Sequence, residues 1–301
     1  MTNFYQVIKK FHLAIITIIC SLMHNDVLLA EQESRWEIGI GSVAAETPQY
    51  FGSNHYYRGI LPYPVLIYRS ERVAAQTVDP DKYGQIFVFD NENLLIELDF
   101  SGRFPVISSD NDSTVPNGAN DENTQIFQDK NYTRRGMPDL PLAGFAGLKI
   151  SWTPVSFLLI EIPVLKGFTI GSGFKNVGLI FSPTLEVRFL GKQRKNAINI
   201  TTIYTHGDEN YNNFYYGVKE EYKLQDRPKY VAKSGLTTVT YGLTFTWTTN
   251  PDLKIVGGYV YHDLHSSVVS DSPLVIAKRN RSIGFAINYT FSRSQNKVEV
   301  W

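Results

Sequence analysis

Leu236 to Trp247 reads LTTVTYGLTFTW, and apolar and small polar residues alternate through it without a break. Val239, Tyr241, Leu243, Phe245 and Trp247 share one face of a strand, because successive strand side chains point to opposite sides. Thr238, Thr240, Gly242, Thr244 and Thr246 share the other. Near the end of the chain Ile283, Phe285, Ile287, Tyr289 and Phe291 alternate in the same way with Ser282, Gly284, Ala286, Asn288 and Thr290. A soluble sandwich strand also alternates, but few carry so many aromatics on one face. Strands apolar outside and polar inside are what a transmembrane β-barrel requires, since lipid tolerates only closed hydrogen-bonding structures.

The start of the chain carries a matching address. Lys9 and Lys10 precede an apolar run, Phe11 to Met23, about as long as the core of a signal peptide. The run is too short to cross a bilayer as a helix. Ala30 is placed to precede a cleavage point, with Leu28 two residues before it. Cys20 makes a poor lipidation site, because Ile19 before it is too large. The reading is a cleaved signal peptide over residues 1–30 and one barrel domain over 31–301, in the outer membrane of a Gram-negative bacterium.

Composition agrees with this. Removal of Lys9, Lys10 and Asp26 leaves 27 basic and 28 acidic residues out of 29 of each. A net charge so near zero argues against a nucleic-acid partner. The single cysteine lies in the signal segment, so the expected processed chain has no disulfide to close it. No later segment is an 18-residue apolar run.

Alternation marks strands near 36–43, 59–68, 85–89, 93–104, 144–152, 156–165, 177–189, 196–206, 235–247, 253–264 and 282–291. Bacterial barrels have an even strand number, so an odd tally points to one more. Arg72 to Val78 is the best candidate, after a tight turn at Arg69-Ser70-Glu71. The fold expected is therefore all-β: a single antiparallel up-and-down transmembrane barrel of 12 strands. Its connectors then sort into a short set (69–71, 90–92, 153–155, 190–195, 248–252) and a mostly long set (44–58, 79–84, 105–143, 166–176, 207–234, 265–281). Short periplasmic turns and long outer loops are the asymmetry such barrels show. Ser108 to Asn123 is rich in Asp, Asn, Ser and Gly and reads as a solvated surface loop.

Turning the apolar face outward sends Glu37, Glu97, Asp99, Lys149, Glu161, Glu186 and Arg188 into the lumen. Charge on the lipid face costs about 2–4 kcal/mol at mid-depth for a basic residue, so inward placement is favoured. Two readings are open. The charges fill the lumen with salt bridges and block flux, or they line a narrow pore that prefers cations, because five of the seven are acidic.

No catalytic constellation assembles. Tyr204-Thr205-His206 has the look of a His-bearing strand of outer-membrane phospholipases but lacks a serine at a useful spacing. His262 and His265 fall on opposite faces of a strand, which suits a strand-end and a loop residue better than two metal ligands. Arg134-Arg135 in the long loop reads as a solvated charge pair, with contact to lipopolysaccharide phosphates as the alternative. Neither a catalytic residue nor a cofactor nor a metal is expected.

Four segments resemble the MipA/OmpV family, that of the MltA-interacting protein. They are Tyr50 to Tyr68 (YFGSNHYYRGILPYPVLIY), Phe104 to Asp112 with Arg135 to Leu140, Phe214 to Val218 with Arg227 to Tyr230, and Ser270 to Val275. Each is weak alone, and their order and spacing make the likeness specific over nearly the whole processed chain. The resemblance implies an outer-membrane barrel in contact with lipid and lipopolysaccharide. It implies a non-enzymatic scaffold for murein-remodelling enzymes, a lytic transglycosylase and a peptidoglycan synthase, with a narrow porin-like channel as the alternative. Two departures stand out. The family ends on an aromatic residue, here Phe291, whereas this chain runs ten residues further, and residues 113–132 look like an insertion.

Overall fold

The computed structural model describes residues 31–78, 84–108, 132–171, 173–190 and 196–300. The expected signal peptide, nearly all of the expected insertion, and most of the connectors 79–84 and 190–195 lie outside these residues.

The strands are β1 (Glu31–Ser34), β2 (Trp36–Pro48), β3 (Tyr56–Arg69), β4 (Val73–Gln76), β5 (Gly84–Asp90), β6 (Leu94–Arg103), β7 (Ala143–Val155), β8 (Leu158–Thr169), β9 (Asn176–Phe181), β10 (Thr184–Leu190), β11 (Asn196–Gly207), β12 (Gly235–Asn250), β13 (Leu253–Asp263), β14 (Arg279–Arg293) and β15 (Lys297–Val300). From β2 to β14 every chain neighbour pairs antiparallel, save β9 with β10, and β14 pairs back onto β2. β9 and β10 share one place in the ladder, because each pairs with both β8 and β11. The barrel therefore closes with twelve staves. The sequence reading of one strand over 177–189 is corrected at Ser182-Pro183, where proline has no N–H for the ladder. The stave still holds across the gap, with Ser182 N–H donating to the Pro163 carbonyl and Tyr204 N–H to that of Pro183.

Burial follows the alternation. Tyr241, Leu243, Phe245 and Trp247 stand about half exposed on the outside, whereas Thr238 and Thr240 are buried within. At one end Trp36, Tyr68, Phe89, Trp152 and Trp247 project outward as an aromatic girdle. The connectors at that end are short. Asn91 Oδ1 accepts from the N–H groups of Asn93 and Leu94, and Asn250 Oδ1 from those of Asp252 and Leu253, which closes each hairpin tightly.

The two chain ends meet at this short-turn end. β1 and β15 form a separate two-stranded sheet, with Glu31 opposite Val300 and Ser34 opposite Lys297. Of the tail beyond Phe291, Lys297–Val300 is thus paired structure. Arg69, expected in a turn, ends β3 and clamps this sheet to the barrel. Its guanidinium meets Glu33 of β1 at 2.7 Å and Glu37 of β2 at 2.6 Å.

The opposite end carries packed structure, and the expected solvated loop Ser108 to Asn123 lies, save for Ser108, outside the described residues. The 207–234 connector carries a helix, α1 (Glu209–Tyr216), started by Asp208, whose carboxylate accepts from Tyr211 N–H at 2.7 Å. Segments 104–108, 132–142, 208–234 and 264–278 pack together with Tyr50 into the hydrophobic core of the molecule.

Candidate functional site

Lys149 sits directly across the ladder from Glu97, since β6 and β7 pair in that register. Its ammonium lies 2.7 Å from Glu97 Oε1 and 3.7 Å from each of Asp99 and Glu161. Gln85 donates to the same Glu97 oxygen at 2.8 Å. Glu97, Asp99 and Lys149 are all buried. Three carboxylates therefore share one ammonium, and Glu97 Oε2 and Asp99 Oδ1 find no hydrogen-bond donor. Such a group holds only while it is complete, because removing the single cation leaves buried charge unpaired.

The other three sequence-predicted charges lie elsewhere. Glu37 meets Arg69 at the short-turn end, with a longer bond of 3.4 Å from Thr290. Glu186 is held by Arg188 at 2.6 Å and by the Thr201 hydroxyl at 3.2 Å. No ion pair joins these groups to the Lys149 cluster among the described residues.

The long-loop end holds what sequence reasoning missed. Phe145, Leu165, Val177 and Ile180 are buried strand residues of this end. Loop residues Tyr50, Val106, Tyr211, Tyr215, Tyr216, Val269 and Leu274 pack on them as one cluster. α1 approaches so closely that a Cβ at Gly178 would lie 2.2 Å from Tyr211 N. Gly178 has φ +123°, so this position is suited to glycine on both counts. Arg103 lies over the rings of Phe51, Phe145 and Tyr211, at 5.3 to 6.0 Å from their centres.

Hydrogen bonds stitch the loops into a lid. Tyr50 Oη donates to the Leu274 carbonyl and Ser272 Oγ to that of Tyr216, both at 2.7 Å. Asn280 binds both sides of the 52–53 turn, accepting from Gly52 N–H and donating to the Ser53 carbonyl. Tyr57 Oη donates to the Pro105 carbonyl. Arg134 corrects the reading of a solvated pair. It is 1% exposed, and its guanidinium donates to Ser108 Oγ at 2.9 Å and to the Tyr215 carbonyl at 3.2 Å. Burial lowers its pKa from the ordinary arginine value. Arg135 pairs instead with Asp226. Burial also raises the Tyr216 hydroxyl well above its usual range.

Two histidines have defined surroundings. His262 is buried, stacks on Phe51 at 4.1 Å, and places Nδ1 2.9 Å from Thr240 Oγ1 and Nε2 3.2 Å from Ser282 Oγ. His265 lies outside, 2.7 Å from Asp263. No cluster of three or more His, Cys, Asp or Glu side chains able to hold a metal occurs among the described residues.

A closed barrel with an apolar, aromatic-girdled exterior and an ion-paired interior defines an outer-membrane β-barrel protein. The chain belongs to the family described as MltA-interacting protein MipA, whose model matches residues 38–291. No curated protein matches the sequence. Solved structures give likenesses of shape. An outer-membrane channel from Pseudomonas putida F1 is 9% identical, with 89% of this chain and 99% of that one covered at a TM-score of 0.47. The NanC porin is 8% identical, covering 84% and 98% at a TM-score of 0.38. A FadL homologue of Pseudomonas aeruginosa is 8% identical, covering 85% and 90% at 0.33. Likenesses this distant bear on neither substrate nor mechanism.

Proposed function

We propose that the protein is a non-enzymatic scaffold barrel. It presents its short-turn end to the periplasm and there holds murein-remodelling enzymes, a lytic transglycosylase and, beside it, a peptidoglycan synthase. The observation that carries the reading is the lid. An aromatic core braced by loop-to-loop hydrogen bonds lies at the long-loop end, and a buried ion cluster lies among the staves. Both occupy barrel interior that a wide channel would leave open. The family description supports the transglycosylase as partner. The β1–β15 sheet supplies periplasmic surface that short turns alone would not.

One observation favours the channel alternative. Three carboxylates face one ammonium in the Lys149 cluster, an acidic excess that would draw cations. Photo-crosslinking in intact cells separates the two readings. A crosslinker at Glu92 in a short turn is expected to capture the lytic transglycosylase, and one at Lys219 in a long loop is not. Capture from Lys219 alone, or from neither, would remove the scaffold reading.

A further inference from the structure

Three loops of the lid leave a cavity of about 790 Å³ between them. Its walls come from residues 134–141, from Thr169, Lys175 and Asn176 of the β8–β9 hairpin, and from residues 213–231. The last segment is pinned back as a small hairpin by the Val218–Tyr230 bridge. The size suits a small ligand, as pockets of about 300–1,000 Å³ do.

The charges around this cavity are unequally engaged. Its lining has four cationic and two carboxylate side chains. Asp139 is occupied by Ser108 N–H at 2.6 Å, and Glu220 by Lys223. Arg134 is spent on Ser108 and the Tyr215 carbonyl. The lysines remain. Lys175 has no ion-pair partner among the described residues, and Lys219 and Lys229 reach Glu221 and Glu220 only at 3.9 Å. Phe214, Tyr222 and Tyr230 supply aromatic wall between them. Val231 of the lining is 65% exposed, and Phe174, next to Lys175 in the chain, is 84% exposed.

We propose that this cavity binds the phosphorylated sugar headgroup of an outer-leaflet glycolipid. Lysine ammonium groups are point charges suited to phosphate, whereas the one arginine of the lining, Arg134, which could grip a planar carboxylate in two-pronged fashion, is already tied down. Aromatic walls match the apolar faces of sugar rings. Exposed Phe174 and Val231 match a ligand that continues into acyl chains. The site lies at the long-loop end and rests on that end facing outward, not on the scaffold role.

The test uses the full chain in phosphatidylethanolamine nanodiscs, with lipopolysaccharide carrying diphosphorylated lipid A as probe. The same lipopolysaccharide after phosphatase treatment and free glucose 1-phosphate serve as comparisons. Binding of the phosphorylated form is expected to fall at least tenfold in the triple variant Lys175→Gln, Lys219→Gln, Lys229→Gln, and to recover when the three are Arg. Phosphatase treatment should cause a similar loss. All three side chains are solvent-facing, so heat-modifiable gel mobility should stay that of the wild type. Unchanged binding by the Gln variant or equal binding of the dephosphorylated form overturns the site. Full displacement by glucose 1-phosphate at equal concentration overturns the glycolipid as ligand in favour of a soluble phosphosugar.

Discussion

Ser272 Oγ donates a 2.7 Å hydrogen bond to the carbonyl of Tyr216, a residue 56 positions earlier in the chain. Both residues belong to segments on which the family resemblance rests, and so do Tyr50, Ser108 and Asp139, which make the neighbouring contacts. Segments that are weak signals singly are therefore one object in space: the lid.

Loosening that lid should leave the barrel standing. Gly178→Val places side-chain atoms where Tyr211 N lies and demands a positive φ of a branched residue. We expect α1 to detach and its amides to exchange quickly, while Ser272→Ala costs about 1 kcal/mol and raises exchange modestly. Hydrogen exchange followed by mass spectrometry reads both. Slow exchange of α1 in the Gly178 variant would contradict the packing described.

Lys149 should be the least replaceable charge. Lys149→Met leaves three carboxylates without their ammonium and should cost about 3–5 kcal/mol. Adding Glu97→Gln and Asp99→Asn to that variant should restore most of the loss, since the buried charge then falls. Urea titration read by heat-modifiable gel mobility measures all three proteins. A single variant as stable as wild type would mean that the cluster is hydrated and dispensable.

Leu243 and Thr244 are adjacent in β12 and face opposite ways, one half exposed on the apolar exterior and one inside. Leu243→Arg puts a cation against lipid and should cost about 2–4 kcal/mol near mid-depth. Thr244→Arg should fold nearly as well as wild type. Equal loss of the folded gel band in both would mean that the barrel does not present these faces as described.

The barrel was legible because its signal is periodic and local. Every second residue of β12 and β14 declares a face, and the even strand number of bacterial barrels supplied β4, where alternation is faint. The lid was not legible, because it has no period. Its core draws single residues from loops far apart, and α1 has only eight residues, too few for a helical stripe. Asp208 followed by Glu209 was the one local sign of it. Arg134 misled for the same reason. Beside Arg135 it reads as exposed, and its partners Ser108 and Tyr215 lie 26 and 81 residues away. Among the charges, alternation gave each one a face but not a partner. Arg69 was hidden by its place at a strand end, although it shares the inward parity of Tyr63, Val65 and Ile67.

Single-channel recording of the wild-type chain in planar bilayers reads whether the lumen is closed. With the mouth lidded and the staves ion-paired, conductance should stay at the lipid background. Large, steady, cation-selective steps whose selectivity drops in the Glu97→Gln, Asp99→Asn variant would mean that the lumen is open and the protein a channel.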